Sequence, residues 1–209
     1  MIDIPRRGVC LVLSAPSGAG KTAIAEALLA TEPLLESSVS VTTRTRRPDE
    51  IDGKHYHFLT EEQFQSALRE DVLLEWARVL QGTHAYGTPR QPVERALAAG
   101  RDVVFDIDWQ GHQQLREKLP KDVVSVFILP PDIDALRSRL VGRAGDHGAE
   151  IERRMRVARD EIRHWEAFHH VVVNEDLAIA TEAVRALLHA ARSERDRMTG
   201  LRDFVAGLT

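Results

Sequence analysis

The chain of 209 residues lacks covalent cross-links, so its fold must depend on burial of an apolar core. It contains a single cysteine, Cys10, so no intrachain disulfide can form, as is usual in a reducing cytoplasm. It also lacks an excess of positive charge, because 28 Lys and Arg stand against 32 Asp and Glu, a net charge of −4. This balance argues against nucleic acid or a membrane surface as the main partner.

Long hydrophobic runs, internal repeats, low-complexity tracts and metal-ligand spacings are also missing. No segment approaches the roughly 20 apolar residues needed to span a bilayer. Arg6-Arg7 followed by an apolar stretch imitates a short secretory signal, but cleavage there would destroy the motif described next. We therefore predict one globular domain in the cytoplasm, with neither a targeting nor a membrane segment. The composition, 43% hydrophobic and 29% charged, is typical of this class.

The first motif is an apolar run that breaks into a turn of small residues ending in Gly20-Lys21-Thr22. Residues 9–13 favour a buried strand, and residues 22–29 favour a helix. A turn in this context points backbone N–H groups at the phosphates of a nucleotide. The predicted nucleotide-binding turn comprises Ala15, Pro16, Ser17, Gly18, Ala19, Gly20, Lys21 and Thr22. The alternative is a helix start that contains Gly-Lys-Thr by chance.

Within this turn, Lys21 is expected to reach the β and γ phosphates, and the Thr22 hydroxyl to hold Mg²⁺. Ala15 stands where the pattern G-x-x-x-x-G-K-[ST] has its first glycine. That departure matters only if the position requires a positive φ, which alanine resists.

A second acidic motif follows the apolar residues 103–105, where Asp106 and Asp108 come in quick succession. Ligands of open parallel sheets bind at the carboxyl edge of the strands, so Asp106 can orient the water shell of Mg²⁺ opposite Thr22. The alternative is a turn that simply carries two acids.

Three arginines lie within residues 44–47, in a segment too polar for the core. They are either a solvated charge run or a second anion site, since arginine forks match phosphate oxygens. Glu75 interrupts the apolar strand predicted over 72–79, where it either points to solvent or makes a specific hydrogen bond. Residues 81–89 are predicted to form a loop.

Apolar strands alternate with helical segments over the rest of the chain, which predicts an α/β fold with a parallel central sheet. Two basic helices, from residue 132 and over 150–168, flank a glycine-bearing break at 144–148 and suggest a mobile lid, although a solvated charged helix is the alternative. The remaining predicted helices cover 60–69, 92–99, 110–119 and 177–197, and the remaining strands cover 39–43, 123–129 and 171–173.

Taken together, these motifs resemble the guanylate kinase family from Gly8 to about Leu188. The pattern Thr42-Thr43-Arg44-x-x-Arg47-x-x-Glu50-x-x-Gly53-x-x-Tyr56-x-Phe58 fits the central signature of that family at every fixed position. Further similar stretches are Glu75-Trp76-Ala77, Tyr86-Gly87-Thr88, Asp106-Ile107-Asp108-x-Gln110-Gly111 and Val171-Val172-Val173-Asn174.

The resemblance implies a P-loop NTPase-type three-layer fold that transfers the γ-phosphoryl group of ATP to GMP, with Mg²⁺. It implies a core over 1–36, 90–130 and 169–209, a small GMP-binding α+β lobe over about 37–89 and a helical lid over about 131–168. The implied GMP-binding residues are Ser40, Arg44, Arg47, Tyr56, Glu75, Tyr86, Thr88 and Asp108. The implied catalytic residues are Lys21, Arg44, Arg139, Arg143 and Arg154; Asn174 would contact ATP on the adenine side, and Thr22 and Asp106 would hold Mg²⁺, partly through water.

Two further departures from the family pattern lie in loops. The segment from Trp76 to Tyr86 is two residues longer than usual, and residues 143–148 lack the usual Arg-Gly pair and serine. Two alternatives stay open: a non-catalytic guanylate-kinase-like interaction module, and a kinase of the same fold acting on another phosphorylated small molecule. The sequence leaves a monomer and a homodimer equally open, and it predicts nothing for residues 199–209.

Overall fold

A computed structural model describes residues 4–79, 83–142 and 148–209. The strands are β1 Cys10–Ser14, β2 Leu35–Ser37, β3 Val41–Thr42, β4 His57–Phe58, β5 Leu73–Val79, β6 His84–Pro89, β7 Asp102–Asp106, β8 Val123–Leu129 and β9 His170–Val173. The helices are α1 Lys21–Thr31, α2 Glu61–Arg69, α3 Arg90–Ala98, α4 Trp109–Lys118, α5 Ile133–Gly142, α6 Gly148–Ile162, α7 Leu177–Arg192 and α8 Leu201–Ala206. Short 3₁₀ turns cover Trp165–Ala167 and Arg195–Arg197.

The central sheet has five parallel strands in the order β2-β7-β1-β8-β9. Its middle strand β1 is fully buried because helices cover both faces, which explains its continuous apolar sequence. On one face Leu11 and Leu13 pack with residues of α1 and α7, and on the other Val12 packs with residues of α3 and α4. The predicted α/β fold with a parallel central sheet is confirmed.

A second, four-stranded sheet has the order β4-β3-β6-β5. The prediction of a loop over residues 81–89 was wrong for the described part, because His84–Pro89 forms β6 and pairs antiparallel with β3 and β5. Its polar, glycine-containing sequence has low strand propensity, and pairing on both sides overrides it. Gly87 is required there, since a Cβ would lie 2.9 Å from the Glu75 carbonyl oxygen. Residues 80–82 lie outside the described part.

Helix α4 fastens the smaller sheet to the central one. The Gln114 amide accepts a hydrogen bond from the Trp76 N–H (3.1 Å) and donates one to the Trp76 carbonyl (2.8 Å), both on β5. About one turn further along α4, Lys118 donates a hydrogen bond to the Leu73 carbonyl at 2.7 Å. Leu115 of the same helix is fully buried in the core. The elements that carry Glu75 and Asp108 are therefore held together through one helix.

The two lid-like helices pack on each other through buried side chains of α5, Leu136 and Leu140, and of α6, Ile151, Met155 and Ala158. The helix predicted over 150–168 ends early, at Ile162, because the chain turns to bury Phe168 against the His112 ring, 4.0 Å between centroids. The helix predicted to reach residue 197 ends at Arg192, and α8 was not predicted. The glycine-bearing break falls mostly on residues 143–147, outside the described part.

A buried ionic cluster closes the amino edge of the central sheet. Asp102, which is fully buried, accepts hydrogen bonds from Arg6 (2.7 Å), Arg192 (2.7 Å) and the Val9 N–H (2.9 Å). Arg192 also pairs with Glu32 at 2.6 Å. The cluster joins the N-terminal segment, α1, β7 and α7. Over the described residues, no helix is both long and apolar enough to cross a membrane.

Candidate functional site

The predicted nucleotide-binding turn, residues 15–22, is called the phosphate loop from here on. It forms a tight turn between the end of β1 and the start of α1. Gly18 and Gly20 have φ values of 92° and 99°, the left-handed region that favours glycine. Ala15 lies outside that region, since Asp71 is the one described non-glycine residue with positive φ. Alanine at the first position of the motif is therefore compatible with the turn. A cavity of about 260 Å³ opens over the turn and is lined by residues 15–18 and 20–22, Asp106 and Glu161.

Three polar side chains meet at the carboxyl edge of β1 and β7. The Lys21 ammonium lies 2.6 Å from one Asp106 oxygen, and the Thr22 hydroxyl donates to the other at 2.8 Å. Asp106 reaches this position because it pairs in register with Leu13 beside the turn. A hydroxyl and a carboxylate are the oxygen donors that Mg²⁺ prefers when it keeps several waters. The residues present therefore fit this ion, and the described residues form no larger acidic or histidine cluster.

One carboxylate at the loop was not predicted. Glu161, near the end of α6, accepts a hydrogen bond from the Ser17 N–H at 3.2 Å. Burial raises the pKa of this carboxyl, while the bond from Ser17 and the nearby Lys21 oppose the rise. A lid-like helix thus touches the phosphate loop directly.

The arginine segment folds around an internal acid, Glu50, which holds Arg44 partly buried while Arg46 and Arg47 stay exposed. Glu50 pairs with the Arg44 guanidinium at 2.5 Å and accepts the Arg47 N–H at 2.8 Å. Arg44 also lies over the Tyr56 ring, 5.5 Å from its centroid, and the Tyr56 and Tyr86 rings are 5.9 Å apart. The ion pair lowers the pKa of Glu50 and raises that of Arg44, so both are charged.

The negative charge of Asp106 also affects Tyr56 in the arginine segment. Burial is the main cause that raises the pKa of Tyr56, with Tyr86 next, and the negative charge of Asp106 contributes in the same direction. Asp106 therefore acts electrostatically on both the phosphate-loop lysine and the tyrosine of the arginine cluster.

Glu75 points inward rather than to solvent, with only 5% of the residue exposed. The Thr88 hydroxyl, opposite it on β6, donates a hydrogen bond of 2.6 Å. Burial raises the pKa of the carboxyl to about 7, against the effect of Thr88 and with a contribution from the charge of Asp108. Asp108 caps α4 by accepting the N–H groups of Gln110 and Gly111. At Gly111 a Cβ would lie 2.8 Å from a Glu75 oxygen, so a larger residue there would have to displace that carboxyl group.

Asn174 joins three elements at the end of β9. Its backbone N–H donates to Leu129 (2.8 Å), its side-chain amide donates to the Ala19 carbonyl in the phosphate loop (2.7 Å), and its carbonyl accepts Arg139 of α5 (3.1 Å). The Asn174 Oδ1 and one Arg139 nitrogen are buried and have no hydrogen-bond partner within the described residues.

Comparison with known proteins decides the family. The guanylate kinase family model matches residues 7–191. The chain is 55% identical over 209 residues to a guanylate kinase of Gluconobacter oxydans, with 100% of both chains covered. It is 57% identical over 205 residues to one of Chelativorans sp., covering 98% of this chain and 93% of the relative.

This chain belongs to the guanylate kinase family. A solved guanylate kinase structure from Anaplasma phagocytophilum matches it with a TM-score of 0.77 at 34% identity, over 98% of this chain and 96% of that one. The resemblance to this family inferred from the motifs is therefore confirmed, and with it the P-loop NTPase-type fold.

The structure places most of the predicted guanylate kinase residues in two clusters. Ala15 to Thr22, Asp106 and Asn174 lie at or beside the phosphate loop, whereas Arg44, Arg47, Tyr56, Tyr86, Glu75 and Thr88 lie on the smaller sheet or the loop that follows β3. Two arginines of the predicted lid make other contacts: Arg139 donates to the Asn174 carbonyl, and Arg154 lies 3.2 Å from Glu150 on its own helix. The Ser40 carbonyl accepts the His57 N–H, and Arg143 lies outside the described residues.

Two acids at this site, Glu50 and Glu161, were absent from the predicted set. Glu50 occupies a fixed position of the family signature, three residues after Arg47, and that spacing could have flagged it as an internal partner. Glu161 had a weaker signal, since it follows Arg154 by seven residues and so shares a face of the helix.

Proposed function

We propose that this protein transfers the γ-phosphoryl group of ATP to GMP, forming ADP and GDP. The observation that carries this proposal is a phosphate loop at the end of β1 together with a buried carboxylate, Glu75, on strand β5, which α4 fastens to the central sheet. It agrees with the family, in which the relatives named above are guanylate kinases. We expect the reaction to take place in the cytoplasm, between small molecules only.

On the ATP side, the loop N–H groups at the start of α1 bind the β and γ phosphates, and Lys21 supplies a positive charge there. Its pair with Asp106 holds the Lys21 ammonium close to where the transferred group passes. Thr22 and Asp106 would hold Mg²⁺, partly through water, and the ion would neutralise charge on the phosphate oxygens. Asn174 contributes the contact on the adenine side.

On the GMP side, Glu75 reads the base. Guanine presents its N1–H and 2-amino group side by side, and one carboxylate can accept both, whereas adenine has no such donor pair. With Thr88 holding one Glu75 oxygen, the carboxylate is fixed in orientation before the base arrives. A wrong base would leave the buried carboxylate without the two donors that guanine supplies, and sites of this kind discriminate by as much as about 10⁴-fold. Asp108 and Ser40 complete the surroundings of the base.

The GMP phosphate is held by Arg44, Arg47, Tyr56 and Tyr86. Two anionic groups must approach in line, so the protein mainly positions them and neutralises their charge. Arg139, Arg143 and Arg154 of the lid, residues 131–168, would add positive charge as the lid closes over the core and the GMP-binding lobe. Closure would also exclude water, which would otherwise hydrolyse ATP. Retention of Lys21, Thr22 and Asp106 favours this enzyme over a non-catalytic interaction module.

A nucleotide panel tests the proposal. ATP is paired with GMP, dGMP, AMP, IMP, CMP and UMP, and ADP formation is followed by a coupled assay for the wild type and Glu75→Gln. We expect GMP-dependent turnover in the wild type and a loss of the GMP preference over AMP in Glu75→Gln, with little change in the KM for ATP. Turnover that does not depend on GMP, or an unaltered preference in the variant, would contradict the proposal.

A further inference from the structure

The phosphate loop of this structure already holds an anion supplied by the protein itself. Glu161 lines the cavity over the loop, and its Oε2 accepts the Ser17 N–H at 3.2 Å. Ser17 belongs to the turn that ends in Lys21 and Thr22 at the positive end of α1. The carboxylate thus accepts a hydrogen bond from an N–H that is positioned to bind phosphate oxygens.

The helix that carries Glu161 can respond to what occupies the loop. Glu161 and Arg154 are separated by seven residues, so they lie on the same flank of α6, about 10 Å apart along its axis. The neighbouring buried stripe, Ile151, Met155 and Ala158, packs α6 against α5. A movement of Glu161 would therefore be transmitted to α5 and α6 together.

We propose that Glu161 is an internal competitor for the phosphate loop, occupying it without nucleotide and displaced by the polyphosphate tail of ATP or ADP. This inference rests on the proposed function, which places the nucleotide phosphates in this loop. A phosphate and a carboxylate carry like charges and cannot share one N–H, so nucleotide binding separates Glu161 from Ser17. The same phosphates attract Arg154. Displacement thus frees the α6 end from the loop while favouring the approach of the lid arginine.

Competition of this kind raises the apparent dissociation constant of the nucleotide. That constant equals the intrinsic one divided by the fraction of molecules in which the loop is free. If the carboxylate occupies the loop in about 70–90% of molecules, its removal tightens the apparent affinity roughly three- to tenfold. Adenosine lacks phosphates, so its affinity should not change.

The experiment measures binding of ADP and adenosine by isothermal titration calorimetry to the wild type, Glu161→Gln, Glu161→Asp and Glu166→Gln. Glu166 is exposed on the 3₁₀ turn after α6, so Glu166→Gln removes the same charge nearby without touching the loop. Asp keeps the charge but is shorter by one bond of about 1.5 Å, which breaks the contact with Ser17. We expect both Glu161 variants to bind ADP three- to tenfold more tightly, with Glu166→Gln like the wild type and adenosine unaffected.

Three results would overturn the inference. Tighter ADP binding in Glu161→Gln alone, with Glu161→Asp like the wild type, would mean that only long-range charge matters. Weaker binding in both variants would mean that the carboxylate helps to hold the nucleotide, and unchanged binding in both would mean that the contact does not compete. Failure of the wild type to bind ADP would instead overturn the proposed function itself.

Discussion

The buried Glu75 makes GMP affinity depend on pH in a direction that the structure sets. Its pKa of about 7 lies above the ordinary value of 4.5, so the free folded protein holds this carboxyl protonated below neutral pH. Guanine recognition needs the carboxylate, because both facing groups of the base are donors. GMP binding must therefore release a proton from Glu75 at and below neutral pH.

The magnitude follows from the ionised fraction. With a pKa of about 7, about nine-tenths of the molecules carry the carboxylate at pH 8 and about one-tenth at pH 6. The dissociation constant for GMP should accordingly rise about tenfold from pH 8 to pH 6. Thr88 and Lys118 favour the charged form and Asp108 opposes it, so these groups set the midpoint together with burial.

The assay is calorimetric titration with GMP at pH 6, 7 and 8, each in two buffers of different ionisation enthalpy, which counts the protons released. The phosphate of GMP also titrates, near pH 6. In Glu75→Gln the phosphate of GMP still titrates but there is no Glu75 carboxyl to titrate, so this variant is the matched control. A wild type whose proton release and pH dependence equal those of Glu75→Gln would refute the role of Glu75.

Three further outcomes are expected. Lys21→Met should lower kcat about 10²- to 10³-fold or more, since it removes the charge beside the transferred group, with an unchanged circular dichroism spectrum; an unaltered kcat would reject that role. Thr88→Val should raise the KM for GMP about tenfold and shift its pH midpoint upward, because the 2.6 Å bond that stabilises the Glu75 carboxylate is lost, whereas Thr88→Ser should retain both values. Asp102→Asn should lower the free energy of unfolding by about 3–5 kcal/mol and the Tm by roughly 10 °C without changing kcat, because the partly buried Arg6 and Arg192 both lose a charged partner. A Tm within about 2 °C of the wild type would contradict this expectation.

The sequence predicted the parts of the fold that depend on local pattern. The apolar run before the phosphate loop and the acidic residues that follow the strand over 103–105 gave local signals that the structure reproduces. The helix predicted over 60–69 is also present, and in the structure Thr60 and Gln63 form a capping box at its start. Strand β6 gave no such signal, because Gly87 and Thr88 belong to a strand only through their partners on β3 and β5. Long-range pairing of this kind cannot be inferred from propensity.

The residues of the candidate site also differ in how far local sequence pattern could predict them. Residue types and spacing pointed to Lys21, Thr22 and Asp106, which the fold brings within hydrogen-bond distance. For Glu75 the sequence left solvent exposure and a specific hydrogen bond equally open, and only the packing of α4 on β5 decided between them. Glu161 approaches the loop through tertiary packing of α6, and neither the alternating charge of its segment nor its spacing from Arg154 specifies that packing.

The double hydrogen bond between Gln114 and Trp76 has a consequence for how the protein behaves at high concentration. Strand β5 is the outermost strand of the smaller sheet, and an unpaired edge of this kind can template the addition of a strand from another chain. The Gln114 amide occupies both the N–H and the carbonyl of Trp76, as a neighbouring strand would. Helix α4 therefore blocks aggregation through this edge at its centre.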